Sequence, residues 1–458
     1  MSTHATAIDS NSPPADPAFP RKHRVPVLGH AVALLTDPLG ALDDWAKEKG
    51  DLYRVKLIWN EAWIVNRPSE IERILTSAKG FRRDEDSRRL KHMLGDGVLT
   101  AEGSLWMRER RLLQPAFHRD RIAEYARVMV DLGAAEFDRW QSGPRDFNHD
   151  MMGLTLRIAS ATLFGDGEGE VDAEEVGRAL HHVMHRFSGA TWLAPLWAPL
   201  PKMRAYHRAV ERLDQLVRGV ITRRRSRGGA GGKDLLSMLL HVQDEDGSRM
   251  TDTQLRDEVL TLLIAGHETT AVALTWTGHL LSHHPEVQAK LHEEARSLAG
   301  PPTASDYPRL KYAEAVLQES MRLYPPAWAM GREVVDGFQL AGHDLPDGAR
   351  VIVTPYSTHR DPRFFHDPLA FRPERWMDGS LANLPPYAYF AFGGGQRMCI
   401  GKGFAMMEGV LLLAELARRF AFHPKPGFTP VPFPAITLRP RDGLHLVIER
   451  RTPEGARA

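Results

Sequence analysis

Apolar and polar positions along this chain alternate in blocks that predict helices far more often than strands. The clearest block opens at Thr251-Asp-Thr-Gln254, which has the form of a capping box, and runs without proline to His283, with Pro285 closing it. At 1.5 Å per residue, about 30 residues make a rod of roughly 45 Å, able to cross a whole domain. Helical periodicity also predicts Ala41–Lys49, Pro68–Ser77, a helix from Ser104, then Arg121–Trp140, Met151–Phe164, Tyr312–Leu323 and Phe404–Phe420. Alternation predicts a hairpin, Leu52–Ile58 with Ala62–Val65 around a turn at Trp59-Asn60-Glu61. It also predicts strands in Gly331–Val334, Ala349–Thr354 and Leu444–Ile448. The stretch Phe81 to Gly103 reads as irregular. The fold class expected is mainly α with a small β region, in a single large domain.

The long helix has an unusual centre. Val259 to Ala273 is apolar nearly all round, as in a buried helix, yet it contains Gly266, Glu268, Thr269 and Thr270. A central glycine costs about 1 kcal/mol against alanine, and a buried carboxylate costs more unless it is paired or hydrated. On a functional reading Ala265 and Gly266 leave room for a ligand against the helix, and Glu268 and Thr269 handle protons beside it. On the plainer reading the threonines bond back to carbonyls one turn earlier and bend the helix.

Composition narrows the class. Length alone, 458 residues, would suggest several domains, but no linker interrupts residues 23–458, so one domain is expected there. The first 22 residues are rich in Ser, Ala, Pro and Asp and are expected to be disordered. They lack the apolar core of a signal peptide, and no run of 18 apolar residues predicts a membrane span. A formal net charge of +1 gives no sign of nucleic-acid binding. The single cysteine suits a reducing cytoplasm and excludes a disulfide within the chain. His181, His182 and His185 share a helical stretch without a carboxylate at metal-ligand spacing. Arg223 to Asp234 resembles a nucleotide loop only superficially, because Arg227 and Asp234 replace its defining residues. Trp192 to Leu200 is apolar, broken by prolines and too short to span a bilayer.

That one cysteine lies in Phe392-Gly-Gly-Gly-Gln-Arg-Met-Cys399-Ile-Gly401, just ahead of a helix. The helix end favours the thiolate, and the glycines let the backbone turn tightly beside a flat ligand. A thiolate so placed is one of the recognised axial ligands of haem iron. A buried small hydrophobe is the bland alternative. A phosphate loop does not fit, since the Lys-Ser/Thr ending is absent.

The spacing Phe392-x-x-Gly395-x-Arg397-x-Cys399-x-Gly401 resembles the haem-binding signature of the cytochrome P-450 family, the haem-thiolate monooxygenases. Three further pieces occur in the family's order: Trp106-x-x-x-Arg110, Ala265-Gly-His-Glu268-Thr269-Thr270, and Glu319-x-x-Arg322 with Arg375 in Phe371-Arg-Pro-Glu-Arg-Trp376. The resemblance implies haem b with Cys399 as iron ligand and Phe392, Ala265 and Gly401 against the cofactor. It implies propionate contacts from Trp106, Arg110, Arg332 and Arg397, and proton handling by Glu268 and Thr269. Glu319, Arg322 and Arg375 become a structural network behind the cysteine loop. The function implied is insertion of one oxygen atom from O2 into a hydrophobic substrate, a fatty acid, terpenoid, steroid or macrolide. Its pocket would draw on Asp84–Leu99, Phe187–Leu200, Ala265, Ala327–Met330 and Pro434–Thr437, with Trp192–Leu200 as a mobile lid or a superficial membrane contact. Electrons would come from a separate ferredoxin or flavodoxin with its NAD(P)H reductase, docking near Lys402. A peroxide-driven enzyme of the same fold, or a haem sensor without turnover, are the alternatives; Glu268 and Thr269 argue against both.

Overall fold

Proline and glycine punctuate the elements where the sequence predicts, in a computed structural model that describes residues 19–57, 60–165, 173–186, 195–226, 234–245 and 247–451. Helix α1 (Pro38–Lys49) starts on a proline and stops at Gly50, whose φ is +78°. The hairpin β1 (Leu52–Leu57) and β2 (Asn60–Val65) follows, then α2 (Pro68–Thr76), again with proline at its first position. Next come β3 (Phe81–Arg83), α3 (Gly103–Leu113), α4 (Arg119–Asp138), α5 (Phe147–Phe164), α6 (Ala173–Arg186) and α7 (Pro201–Ser226). The second half holds α8 (Asp252–His283), α9 (Lys311–Leu323), β4 (Met330–Val334), β5 (Arg350–Val353) and α10 (Lys402–Arg419).

Helix α8 is the axle. Its capping box forms in full: Gln254 N–H donates to Thr251 Oγ1 at 3.2 Å, and Thr251 N–H donates to Gln254 Oε1 at 2.9 Å. Helices α5, α7, α9 and α10 all pack on it, which is why its hydrophobic residues need no polar face. By length and composition α8 could cross a bilayer, but 78% of its most apolar window is buried inside the protein.

The main sheet has five strands in the order β1-β2-β5-β4-β3. Strands β2 and β5 pair in parallel, with Val65 beside Val353, and the other pairs are antiparallel. Gly143–Asp146, His445–Arg450 and Phe420–Pro424 make a second sheet. The stretch expected to be irregular instead contains β3 and two short helices, Glu85–Arg89 and Lys91–Leu94. Elements of three to five residues are too short to show a period, so the pattern of apolar positions does not reveal them.

Four expectations fall wholly or partly outside the described residues. These are the N-terminal segment as far as residue 18, Ile58 and Trp59 of the expected hairpin, the stretch 187–194 of the expected lid, and the loop 227–233. Of the turn expected at Trp59-Asn60-Glu61, Asn60 and Glu61 belong instead to β2, paired with Leu57 and Lys56. Within the remainder, Arg21 N–H donates to Glu48 Oε1 at 2.9 Å and His30 Nε2 bonds Pro20 O at 3.0 Å, so Pro20 and Arg21 are held against the fold.

Candidate active site

The cysteine loop is held at several points. Gly395 takes φ +61°, and a Cβ there would lie 2.1 Å from the Leu75 carbonyl oxygen, so the loop packs on α2 only with glycine at this position. Cys399 N–H donates to Phe392 O at 2.9 Å, which closes the loop on itself. Gly401 caps α10 immediately afterwards. Cys399 is exposed as a residue, yet enough protein surrounds its thiol that burial pushes its pKa up, against the opposing pull of the Gly401 N–H, Arg110 and Lys402. Burial thus works against the pull toward the thiolate expected of the helix end. A bound metal cation reverses that balance, because a coordinating thiol is deprotonated outright.

Arginines crowd the neighbouring space. The register of β3 on β4 sets Arg83 directly opposite Arg332, an arrangement that destabilises a sheet when both residues carry the same charge. Arg397 lies over Trp106 at 4.3 Å from the ring centre, while Arg110 lies at 5.9 Å, so the tryptophan's closer partner is the arginine of the cysteine loop. Arg397 also donates to Ala101 O at 2.9 Å and pairs with Glu102. The buried Arg83 Nε has no hydrogen-bond partner. Burial, then repulsion from Arg332 and Arg397, depresses Arg83 to about 9. Burial depresses Arg332 and Arg397 too, with Arg397 adding to the first and Arg110 to the second. Guanidiniums keep their proton in proteins, so it falls to nearby anions to offset their mutual repulsion. Glu102 and Asp84 both act in favour of charged Arg83 and Arg332, and Asp84 is shared with Arg350 at 3.0 Å. Four guanidiniums against two shared carboxylates fit a ligand that brings carboxylates of its own.

Arg83 escaped the sequence reading. Its neighbour Arg82 turns outward to Glu333 at 2.8 Å, and only the cross-strand register separates their roles.

The middle of α8 borders the same region. Ile400, next to the cysteine, joins an apolar cluster with Leu260 and Ile264 of α8, and Leu99 and Ile436 pack against it. Buried for most of its length, α8 opens at Leu262, Ala265, Gly266 and Thr269. A Cβ on Gly266 would meet nothing within 4 Å. Thr269 Oγ1 donates to Ala265 O at 2.8 Å and Thr270 Oγ1 to Gly266 O at 3.2 Å, the back-bonding of the plainer reading, so both readings describe the same turn. Glu268 does not lie on the open stripe. It is 3% exposed and accepts a hydrogen bond from Thr437 at 2.7 Å.

The third group stands apart from this space. Glu319 accepts from both Arg322 Nε and Nη2, at 2.8 and 2.9 Å, and from Arg375 Nε at 2.8 Å. Trp376 Nε1 and the Arg372 N–H complete its shell at 2.9 and 3.0 Å. Arg322 then donates to the carbonyls of His359 and Pro368. Buried His359, its pKa held well below the usual value by burial and by Arg322, accepts the Phe390 N–H at 2.9 Å just before the cysteine loop. The network therefore reaches the loop through backbone and one neutral imidazole.

The sequence profile of the cytochrome P-450 family matches residues 17–447. The chain belongs to the cytochrome P-450 family. It is 35% identical over 424 residues to cyclooctatin synthase of Streptomyces melanosporofaciens, covering 90% of this chain and 92% of that protein. It is 32% identical over 438 residues to the pentalenene oxygenase of Streptomyces avermitilis, covering 94% and 96%. Among solved structures it resembles a cyanobacterial CYP120A1 bound to retinoic acid, with a TM-score of 0.84, 26% identity and coverage of 96% of this chain and all of that one. This P-450 is therefore a haem b monooxygenase that acts on a hydrophobic substrate with O2 and draws electrons from a redox partner. Its exposed lone cysteine, undersupplied cations and open stripe on α8 fit that cofactor.

Proposed function

We propose that Cys399 is the iron ligand of a P-450 whose propionate cradle is Trp106, Arg110, Arg332 and Arg397 with the addition of Arg83. The observation that carries this reading is the meeting of an accessible lone cysteine with four arginines short of countercharge. When bound there, haem supplies activation of O2 for insertion of one atom into a C–H or C=C bond. Phe392 and Gly401 shape the loop against the macrocycle, and the bare backbone at Ala265 and Gly266 leaves room on its other face. Thr269 stands on the open stripe, and Glu268 supplies the acid one residue away. The substrate class is a cyclic terpenoid, the chemistry named for the Streptomyces relatives. The apolar lining of Leu99, Leu262 and Ile436 suits it. The deciding experiment is the absorption spectrum of dithionite-reduced protein under carbon monoxide. The far-red Soret band of thiolate-ligated haem is expected. A band at the histidine-ligated position would undo the assignment of Cys399.

The cradle makes its own prediction. In the haem-free protein Arg83→Leu removes a repelled cation, so its melting temperature should hold or rise. In the holoprotein a charged hydrogen bond worth about 1.5–3 kcal/mol is lost, and haem should pass to apomyoglobin roughly tenfold to a hundredfold faster. Slower or unchanged transfer would exclude Arg83 from the cradle.

Electron entry is assigned to the surface beside Cys399 in the chain, where Met398 and Lys402 are exposed. A surface cleft of about 590 Å³, lined by Arg111, His118 and Arg121 among others, lies close by, because Phe117 and Ile122 of the same segment pack on Gly401 and Gly403. Asp120 also lines this cleft, and Arg111 and Arg121 pair with Asp244 and Glu124, so Lys402 is the docking cation for an acidic ferredoxin or flavodoxin, served by an NAD(P)H reductase in the cytoplasm. Lys402→Glu should slow partner-driven turnover about tenfold at low salt, and less at high salt. Dithionite reduction should be unaffected. Turnover equal to the wild type would exclude Lys402 from docking.

A further inference from the structure

Glu268 is held from a distant part of the chain. The Thr437 hydroxyl that donates to its Oε1 is 169 residues away in sequence, and the two residues are 4% and 3% exposed. The turn that carries Thr437 is pinned on both sides. Trp328 Nε1 donates to Ala435 O at 2.9 Å, and Leu438 N–H donates to Pro326 O at 3.0 Å. Trp276, two turns beyond Glu268 on α8, donates to Leu438 O at 2.7 Å and stacks on Tyr324 with ring centres 4.2 Å apart. Thr437 is therefore a fixed post. Its neighbour Ile436 packs on the apolar cluster that includes Leu260 and Ile264.

We propose that Thr437 is a positioning residue for oxygen activation: its hydroxyl parks the Glu268 carboxyl beside α8, off the stripe of Ala265, Gly266 and Thr269. The inference rests on Glu268 being the proton-handling acid. A hydroxyl at 2.7 Å from a buried carboxyl oxygen makes a well-formed hydrogen bond, and the pinned turn cannot follow that carboxyl if it swings toward Thr269. Moving the acid thus requires breaking this bond. Because Ile436 adjoins the post, a substrate filling the apolar space presses on the residue next to the one that holds the acid.

The test uses holoenzyme, without substrate. Thr437→Val, Thr437→Ser, Glu268→Gln and the double variant Thr437→Val/Glu268→Gln are reduced with dithionite, freed of excess reductant and mixed with air. The rate of reoxidation, its solvent deuterium isotope effect and the carboxylate infrared band lost in Glu268→Gln are recorded. With the acid released, Thr437→Val should reoxidise at least threefold faster, with an altered isotope effect and a shifted carboxylate band. Thr437→Ser should match the wild type, and Thr437→Val should add nothing once Glu268 is Gln. Full carbon-monoxide spectra in every variant show that folding is not the cause. If Glu268→Gln changes reoxidation but Thr437→Val does not, or if Thr437→Val acts equally in the Gln background, the role of Thr437 is overturned while Glu268 stands. If Glu268→Gln changes nothing, Glu268 is not the acid and both readings fall.

Discussion

Cys399→Ser is expected to abolish monooxygenation while leaving the fold in place. The cysteine makes no disulfide, and its loop is held by the Cys399 N–H bond to Phe392 O and by Gly395 against α2, neither of which involves the sulfur. Stability of the haem-free protein should therefore change by less than about 1 kcal/mol, the usual size of a surface substitution or smaller. The chemistry is different. A site that already penalises a thiolate by burial penalises an alkoxide far more, so serine offers the iron a neutral oxygen and no push of electron density. Turnover should fall by at least about a thousandfold, roughly 4 kcal/mol of activation free energy. The reduced carbon-monoxide spectrum should lose its far-red band. A Ser variant that kept that band would show that the ligand lies elsewhere.

Glu319→Ala should have the larger effect on stability. The substitution strands Arg322 and Arg375, 0% and 1% exposed, and leaves the Trp376 and Arg372 N–H groups without acceptors. Breaking a buried pair by removing one partner costs about 3–5 kcal/mol, against a total stability of about 5–15 kcal/mol. Little soluble holoprotein should accumulate, measured as the yield of carbon-monoxide-competent haem per gram of cells. Trp376→Phe removes one of the five hydrogen bonds and should cost about 1 kcal/mol in melting experiments. If Glu319→Ala melted within about 1 kcal/mol of the wild type, the network would be ornamental to the fold.

What could be read beforehand follows from what each feature depends on. The bounds of α8 were legible because Thr251, Gln254 and Pro285 act locally, through the backbone of the next few residues. The cysteine loop was legible because its glycines and Cys399 must keep a fixed spacing. Strand β3 was not, since three residues carry no period. Nor was the parallel pairing of β2 with β5, which joins Val65 to Val353 across the length of the chain. Arg83 became distinguishable from Arg82 only through the register with β4. The carboxyl of Glu268 was placed beside Thr269 by sequence proximity, and the Thr437 hydroxyl, invisible from that neighbourhood, draws it to another face. Trp106 and Arg110 share a helix face, yet the arginine stacked more closely on the tryptophan comes from the cysteine loop.

The cluster of Arg83, Arg110, Arg332 and Arg397 also bears on how this molecule is assembled. It joins an edge strand, a sheet partner, α3 and the cysteine loop, four pieces from opposite halves of the chain, through groups whose repulsion Glu102 and Asp84 offset in part and which, on the proposed reading, the carboxylates of the cofactor would offset further. The helical core around α8 needs no such help. On the proposed reading, this corner would therefore be completed only once the cofactor is in place. A ligand that binds only the native state adds its binding free energy to that state, so haem supply would govern how much of the chain completes its fold as well as how much of it is active.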